Sequence, residues 1–262
     1  MTSSRPFLRG FLLPWVVGGA LAAGCAPTLH PVPNVIETDP QALLARAEAQ
    51  VEQRRALAAE ARVEGRVRGS RLSGRATLLV QREGRLRIDA WTVTDLWVAT
   101  LLADSAEVLW RQRGEPCHEG PSCPRNLEML IPPGWDLRST SEALLGRPPV
   151  RSPEQPWDLT FDRRVGAWRL DARPGPEAPQ RVWIDAEGRF RRFETRRPGA
   201  RPLEWEVEPS KEGLQWVRIQ SGDDWVRLRL RDVEWNPEFT PEDFQVECPG
   251  EVVPMPCTED PQ

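Results

Sequence analysis

Four of the five cysteines in this 262-residue chain are the residues whose type and spacing most directly suggest chemistry. Cys117, Cys123, Cys248 and Cys257 form an even set, which in an oxidising compartment predicts two disulfides. Three pairings are open. We favour the local one, Cys117 with Cys123 and Cys248 with Cys257, because each pair brackets a short loop with Pro and Gly. His118, next to Cys117, suggests a zinc site as an alternative. The spacing Cys-His-x4-Cys fits no common zinc module, so no metal is expected.

The first 25 residues have the order of a bacterial export signal. Export would place the mature chain in an oxidising compartment, the periplasm. Arg5 and Arg9 precede the apolar stretch 11–23, and no acid occurs before Cys25. The stretch is too short to span a bilayer of about 30 Å, which takes about 20 residues. Its ending, Leu-Ala-Ala-Gly-Cys, resembles a bacterial lipobox, which implies that Cys25 becomes the acylated first residue. An ordinary secretory signal that contains a cysteine is the alternative.

The composition argues against several classes of protein. The net charge is -4, from 35 basic and 39 acidic side chains, whereas phosphate binding needs clustered positive charge, so no nucleic-acid partner is expected. Of the two histidines, His30 lies in a Pro-rich segment and His118 between two cysteines. No Gly-x-Ser-x-Gly nucleophile motif occurs. We therefore expect neither an enzyme nor a cofactor beyond the covalent lipid on Cys25.

The residues after Cys25 predict an extended tether and then a helix. Segment 25–38 contains Pro27, Pro31 and Pro33, which favours extended backbone. Asp39 and Pro40 are typical of the start of a helix. The following residues, to about Arg62, are mostly strong helix formers. Apolar side chains recur there with a period near 3.6, at Leu43, Leu44, Ala47, Val51, Ala58 and Ala61.

From residue 76 onwards the period changes to two, which predicts strands with one apolar and one charged face. These strands are expected at 76–81, 86–91, 157–162, 168–171, 181–185, 189–195, 203–208 and 226–231. About ten such strands predict an antiparallel sheet with one covered face. Short helices are expected at 126–131 and 139–145, the second with a capping box from Ser139 to Glu142 and a stop at Gly146.

Three helices of this size cannot fill the concave face of such a sheet with side chains alone. The sheet therefore either collapses onto a closed core or keeps an apolar cavity. Large rings suit the lining of a cavity, although each Trp could equally be an ordinary core residue. The expected cavity lining is Leu78, Val80, Ile88, Trp157, Leu159, Phe161, Trp168, Trp205 and Leu228.

The order of these elements resembles the LolA/LolB superfamily of lipoprotein carriers and receptors over residues 39–247. Three segments carry the resemblance. Residues 85–88 with 98–103 are similar to the central strand pair with its projecting loop. Residues 139–149 are similar to a short helix ending in Leu-Gly-x-Pro, and residues 233–244 to a final strand where an Asn precedes a closing Phe.

The resemblance implies an α+β fold, in which a large curved antiparallel sheet of about ten or eleven strands forms an unclosed β-barrel. A long N-terminal helix and short central helices would cover its concave face. The implied organisation is a lipoprotein signal peptide at 1–24, a lipidated tether at 25–38, the half-barrel domain at 39–247 and a Pro-rich C-terminal tail at 248–262.

The function implied by the resemblance is binding of acyl chains in the half-barrel, assisting lipoprotein localisation to the outer membrane. The expected partners are the membrane, lipoprotein acyl chains or other lipid and, where one exists, a soluble periplasmic carrier. Ala26 and Pro27 are not acidic, which favours the periplasmic face of the outer membrane. The alternative is an anchored structural or protein-interaction module of the envelope with a filled core and no cargo.

In that family a loop between two central strands projects an apolar side chain that helps to insert cargo into the membrane. The matching segment is 91–97, with Val93, Leu96 and Trp97 as the candidate side chains. The Pro-Leu-Gly typical of the loop is replaced here by Val-Thr-Asp-Leu. A plain strand turn is the alternative for this segment.

Overall fold

The computed structural model of the chain describes residues 29–33, 38–82, 84–150, 155–173, 178–196, 199–210 and 213–257. The predicted signal segment, Cys25 and residues 34–37 of the predicted tether lie outside them. The helices are α1 (Pro40–Glu52), α2 (Pro124–Leu127), α3 (Leu137–Leu144) and a short 3-10 helix (Pro241–Phe244). The strands are β1 (Ala56–Val67), β2 (Ser70–Gln81), β3 (Arg85–Trp91), β4 (Trp97–Ala103), β5 (Glu107–Gln112), β6 (Cys117–Pro121), β7 (Trp157–Asp162), β8 (Ala167–Ala172), β9 (Gln180–Ile184), β10 (Phe190–Thr195), β11 (Leu203–Ser210), β12 (Gly213–Ser221), β13 (Asp224–Trp235) and β14 (Val252–Pro254).

In the described part of the chain these fourteen strands form one sheet in the order β14-β6-β5-β4-β3-β2-β1-β13-β12-β11-β10-β9-β8-β7. Neighbours are antiparallel except for β14, which runs parallel to β6. The end strands β14 and β7 are not paired with each other among the described residues, so the barrel is unclosed. The predicted fold class is confirmed, with more strands than the ten or eleven expected.

Alternation along the strands gives the sheet a buried concave face and an exposed outer face. In β1, Leu57, Ala59 and Ala61 are buried, whereas Glu60 and Arg62 are exposed. The same alternation in neighbouring strands brings apolar side chains into register across the concave face. One such row runs from β7 to β13 through Leu159, Leu170, Val182, Phe193, Trp205, Ile219 and Val226.

Helix α1 begins where the sequence predicts it. The carboxylate of Asp39 accepts hydrogen bonds from the backbone amides of Gln41 (2.9 Å) and Ala42 (3.2 Å), and Pro40 occupies the first turn. These contacts satisfy amides that have no partner inside the helix. The helix buries its apolar side against the β7–β9 part of the concave face, through Leu43, Leu44, Ala47 and Val51.

The predicted helix is wrong beyond Glu52, because residues 56–67 form β1 instead. Ala58 and Ala61 fit a helical stripe, but the segment also alternates with period two, and β1 pairs with both β2 and β13. Pairing on both edges overrides the helix propensity of its alanines. Asn236 fixes the corner between helix and strand, because its side-chain oxygen accepts from the amides of Arg55 (2.7 Å) and Ala56 (3.2 Å).

A stacked arginine packs against the same corner. The guanidinium of Arg54 lies 4.7 Å from the ring centroid of Trp235 and donates to the carbonyl of Leu145 at 3.4 Å. Burial lowers the pKa of Arg54 from its ordinary value, because the charged form loses hydration there. The contact joins α1, β13 and the end of α3.

The central insertion contains two helices, as predicted, with shifted bounds. Helix α2 covers Pro124–Leu127 rather than 126–131, and α3 begins at Leu137 rather than at residue 139. The predicted capping box at Ser139 is wrong. Asp136 is the N-cap, since its carboxylate accepts from the amide of Ser139 at 2.6 Å. Gly146 follows α3 with a φ of +89°, the left-handed conformation expected of a helix stop.

The cysteines pair over long distances in sequence, so the favoured local pairing is wrong. Cys117 is bonded to Cys248 and Cys123 to Cys257. The reason is β6, which holds residues 117–121 extended. Six residue steps of extended chain from Cys117 to Cys123 cover about 20 Å, whereas a disulfide needs Cα atoms within about 7 Å.

Residues 248–257 of the predicted Pro-rich C-terminal tail are part of the fold, and residues 258–262 lie outside the described residues. We call residues 236–257 the C-terminal strap. It crosses the outer face of the sheet, where Arg87 donates to the carbonyl of Asp243 (2.8 Å) and Arg111 to that of Glu247 (2.9 Å). Its last part forms β14 beside β6 and places Met255 in the core. The two disulfides fasten this strap to both ends of β6.

Candidate functional site

The strands run between two rims that carry different segments. The upper rim holds the β1–β2 turn (68–69), the β3–β4 loop (92–96) and the β12–β13 turn (222–223). The lower rim holds the β7–β8 turn (163–166) at its far edge. The described part of the predicted tether meets this lower rim, where the amide of His30 donates to the carbonyl of Arg163 at 2.8 Å.

The β7–β11 half of the concave face is filled by side chains. Trp205 is fully buried, and its indole N–H donates to the carbonyl of Ala143 in α3 at 3.0 Å. Trp135 is also buried, and its indole N–H donates to the carbonyl of Gln220 at 3.2 Å. Buried indoles generally find such partners. This half is therefore a packed core held under α1 and α3.

The other half of the concave face contains an apolar cavity of about 380 Å³. It lies between β1–β5, β12–β13 and the central insertion. Met129, which lines it, is 38% exposed, so the cavity reaches the surface. Near the upper rim its lining includes Thr92 and Gln112. Arg71 and Arg75 also contribute to its lining. The apolar lining comprises Val63, Leu72, Ala76, Ile88, Ala90, Trp91, Val98, Ala99, Trp110, Met129, Leu130, Ile131, Leu144, Ile219, Val226 and Leu228.

Two of the nine residues predicted to line a cavity, Ile88 and Leu228, line this one. Leu78 and Val80 point to the same concave face but are fully buried nearer the lower rim. The remaining five lie on the concave face of the filled half. They are Trp157, Leu159 and Phe161 in β7, Trp168 in β8 and Trp205 in β11.

Several residues that line the cavity were not predicted from the sequence. Val63 lies in β1, whose first residues, to about Arg62, were expected to be helix. Period-two alternation from Leu57 onwards is the signal that could have found it. Ile131 and Leu144 belong to the central insertion, whose contact with the sheet depends on tertiary packing. Sequence spacing does not determine that packing.

The predicted membrane loop is the β3–β4 connection at the upper rim. Val93 is 74% exposed and Leu96 is 47% exposed. Trp97 differs, because it starts β4, donates its indole N–H to Thr100 at 3.0 Å and stacks under Arg111 at 4.7 Å. Of the three candidates, Val93 and Leu96 therefore present apolar side chains to the solvent.

Local hydrogen bonds give this loop a defined shape. The hydroxyl of Thr92 accepts from the amides of Thr94 (3.3 Å) and Leu96 (3.1 Å), and the amide of Thr92 donates to the carbonyl of Leu96 at 2.8 Å. Asp95 adopts a φ of +62° and pairs with Arg75 on β2. The exposed side chains are thus held by a closed turn.

A larger groove of about 650 Å³ lies toward the lower rim but has a charged lining. Arg82 donates to Glu52 at 2.9 Å, and Arg147 lies 3.6 Å from Glu48 and 3.8 Å from Glu52. These two arginines are therefore paired with carboxylates of α1, and the third lining arginine, Arg138, lies 3.5 Å from Glu142 of α3. For an apolar ligand, the smaller cavity is the better candidate.

The described residues hold no group of three or more His, Cys, Asp or Glu side chains placed to bind a metal ion. Nor does any helix in the described ranges have the length and apolar character needed to cross a membrane.

No protein-family model matches this sequence, and no curated protein matches it. Among solved structures, the chain is similar to a DUF1329 family protein from Desulfovibrio piger, with 10% identity, 79% and 98% of the two chains covered and a TM-score of 0.49. It is similar to a LolA superfamily protein from Nitrosomonas europaea, with 9% identity, 80% and 99% covered and a TM-score of 0.48. Lipoprotein LppX from Mycobacterium tuberculosis is similar at 12% identity, 77% and 97% coverage and a TM-score of 0.31.

Proposed function

We propose that this protein binds an acyl chain of a lipoprotein or another lipid in the cavity beneath the central insertion. The observation that carries the proposal is the apolar cavity of about 380 Å³ that reaches the surface beside Met129. Each methylene removed from water contributes about 0.8 kcal/mol, so an apolar cavity needs no specific chemistry to hold a chain. No covalent step is involved.

The volume of the cavity limits the cargo to one chain at a time. A water molecule takes about 30 Å³ of liquid, and a methylene group is of similar size, so 380 Å³ holds roughly a dozen methylenes. A triacylated lipoprotein would therefore insert a single chain and leave the others outside. Because only one chain would be buried, its free energy of binding would be moderate, and the chain could exchange between protein and bilayer.

In the cell, we expect the protein to act in the bacterial envelope, anchored by acyl chains on Cys25 and assisting lipoprotein delivery at the outer membrane. The export signal and the lipobox support this location. Val93 and Leu96, exposed on a closed turn at the upper rim, are suited to contact the bilayer during transfer. A soluble carrier, where one exists, would be the donor.

One observation favours the alternative, an anchored structural or interaction module without cargo. In the β7–β11 half of the concave face, α1 packs against the sheet and Trp205 is fully buried, as is Trp135 beside β12. If the second half also closes around its own side chains in solution, the domain has no room for a ligand.

A cavity-filling substitution distinguishes the two functions. Ala90 lines the cavity, so Ala90→Phe should fill it and weaken binding of a fluorescent fatty acid at least tenfold. The matched control is Ala58→Phe, because Ala58 lies on the outer face of β1 and gains the same ring outside the cavity. We expect the full-length control to bind like the wild type in a fluorescence titration. Equal binding by both variants would exclude the cavity as the site, and no uptake by the wild type would favour the structural module.

A further inference from the structure

The outer face of the sheet carries arginines that stand directly opposite one another on neighbouring strands. Arg229 on β13 faces Arg62 on β1, and Arg62 faces Arg75 on β2. Two outer-face positions nearer the upper rim, Arg66 on β1 faces Arg71 on β2, and Glu64 lies between Arg62 and Arg66 on β1. We call these five arginines the arginine patch. Like charges directly opposite each other destabilise a sheet, so this register works against folding.

Acidic side chains neutralise little of the patch. Arg62 lies 3.5 Å from Glu64, and Arg75 pairs with Asp95. Among the described residues, Arg66, Arg71 and Arg229 form no ion pair, and all three are exposed. Five arginines thus face two carboxylates on one surface of a protein whose net charge is -4. Positive charge is therefore concentrated on this surface, although the net charge of the whole chain is negative.

Tryptophans border both rows of the patch. Trp216 stands opposite Arg229 and Trp91 opposite Arg75, at the two ends of the first row. Trp225 stands opposite Arg66. These rings are half-exposed. Trp and Arg together are the residues that favour the interface between water and lipid headgroups.

The patch is open, whereas the neighbouring outer face is covered. The C-terminal strap crosses β3 and β5, where it contacts Arg87 and Arg111, and its start at Asn236 bonds to Ala56 at the lower end of β1. Within the described ranges, none of its hydrogen bonds reaches an arginine of the patch. Five neighbouring strands, from β12 to β3, span about 20 Å at the usual strand spacing. That width exceeds a single phosphate and suits several headgroups side by side.

We propose that the arginine patch is a docking surface for the anionic headgroups of a phospholipid bilayer. Charge complementarity selects an anionic surface, and the flanking indoles and the exposed Val93 and Leu96 at the same rim select a lipid one. Docking through the patch brings the upper rim, where Thr92 and Gln112 line the cavity, close to the bilayer. This contact is additional to any lipid anchor and independent of whether the cavity holds a chain.

The test is partition of the full-length chain onto vesicles of phosphatidylcholine alone or of equal parts phosphatidylcholine and phosphatidylglycerol. The patch variant carries Arg62→Gln, Arg75→Gln and Arg229→Gln. The matched control carries Arg55→Gln, Arg138→Gln and Arg164→Gln, which remove the same charge from exposed arginines elsewhere on the molecule. Both keep residues 1–38 unchanged, so any contribution of that segment cancels.

We expect the patch variant to lose roughly hundredfold in its partition onto anionic vesicles, on the basis of about fivefold per arginine near the surface. The control should stay near the wild type, and the difference should vanish in about 1 M salt, where the screening length is about 3 Å. Equal losses in the two variants, or a loss that is as large on neutral vesicles, would overturn the proposal. Binding of polyglutamate without any preference for anionic vesicles would also overturn it, and would assign the patch to an acidic protein partner.

Discussion

Buried indoles determine, at the scale of single residues, which part of the concave face is closed. Trp205 and Trp135 fill the space beneath the insertion and hold it to the sheet through bonds to Ala143 and Gln220. On the outer face, indoles instead stack with arginines, as Trp225 does with Arg218 at 5.0 Å. Tryptophan thus fills the core on the concave face and stacks with arginines at the half-exposed outer face.

Removing one indole N–H tests the first of these roles. Trp205→Phe keeps a large apolar side chain but removes the buried indole bond to the carbonyl of Ala143, which then accepts only from backbone amides such as that of Gly146 (3.1 Å). We expect the free energy of unfolding to fall by about 1–3 kcal/mol, measured by urea denaturation. Fatty-acid binding should be unchanged, since Trp205 does not line the cavity. An unchanged stability would mean that the bond contributes nothing.

The arginines that face one another across β13, β1 and β2 predict the opposite effect of a substitution on stability. Arg62 stands between Arg229 and Arg75, so Arg62→Gln should leave the free energy of unfolding unchanged or raise it by about 0.2–1 kcal/mol. The comparison is Arg181→Gln, which removes a partner of Asp171 (3.1 Å) and should lower stability by up to about 1 kcal/mol. A marked loss in the first variant would show that Arg62 has a structural partner.

At the scale of elements, alternation with period two located most of the sheet from sequence. It predicted the core of β2, β3, β7–β11 and β13, and the structure has strands there. It missed β6, because Cys-His-Glu-Gly-Pro carries no alternation and pairs only through the backbone. It misassigned β1, because alanine and arginine suit both periods. The choice there depends on two neighbouring strands, one of them more than 150 residues away.

The long-range cysteine pairs give a prediction about the C-terminal strap. With the Cys117–Cys248 bridge intact, the Cys123–Cys257 bridge closes a loop of about 15 residues, made of segments 117–123 and 248–257. Cys123→Ser with Cys257→Ser should therefore lower the free energy of unfolding by roughly 3 kcal/mol in the chain-entropy description. Thermal denaturation measures the loss. A non-reducing peptide map that joins Cys117 to Cys123 would contradict the architecture of this edge.

The β3–β4 loop gives a second prediction at this scale. Leu96→Asp changes an exposed side chain, so the stability of the fold should alter by no more than about 0.5 kcal/mol. Penetration into a lipid monolayer should decrease. Leu29→Asp is the control, because Leu29 has a similar exposure, 49% against 47%, and lies in the segment at the lower rim. Equal effects of the two substitutions would remove any special role for the loop.

At the scale of the whole molecule, one continuous sheet supports two different halves. Helix α1 and its neighbours close the β7–β11 half, and the strap fastens the outer face at the opposite edge. Between them, the β1–β5 strands retain a cavity on one face and the arginine patch on the other. The sequence could indicate that the concave face of such a sheet is larger than the area its helices can cover. Where the excess space remains depends on how the insertion packs, which no spacing in the sequence specifies.

The position of a bound chain tests the central claim most directly. Crystals of the protein grown with a fatty acid brominated on its chain would locate the bromine by its anomalous signal. We predict one bromine per molecule between Ile88 and Leu228, beneath Ile131. Bromine only on the outer surface, or none at saturating fatty acid, would contradict the account, since the half-barrel would then hold no chain.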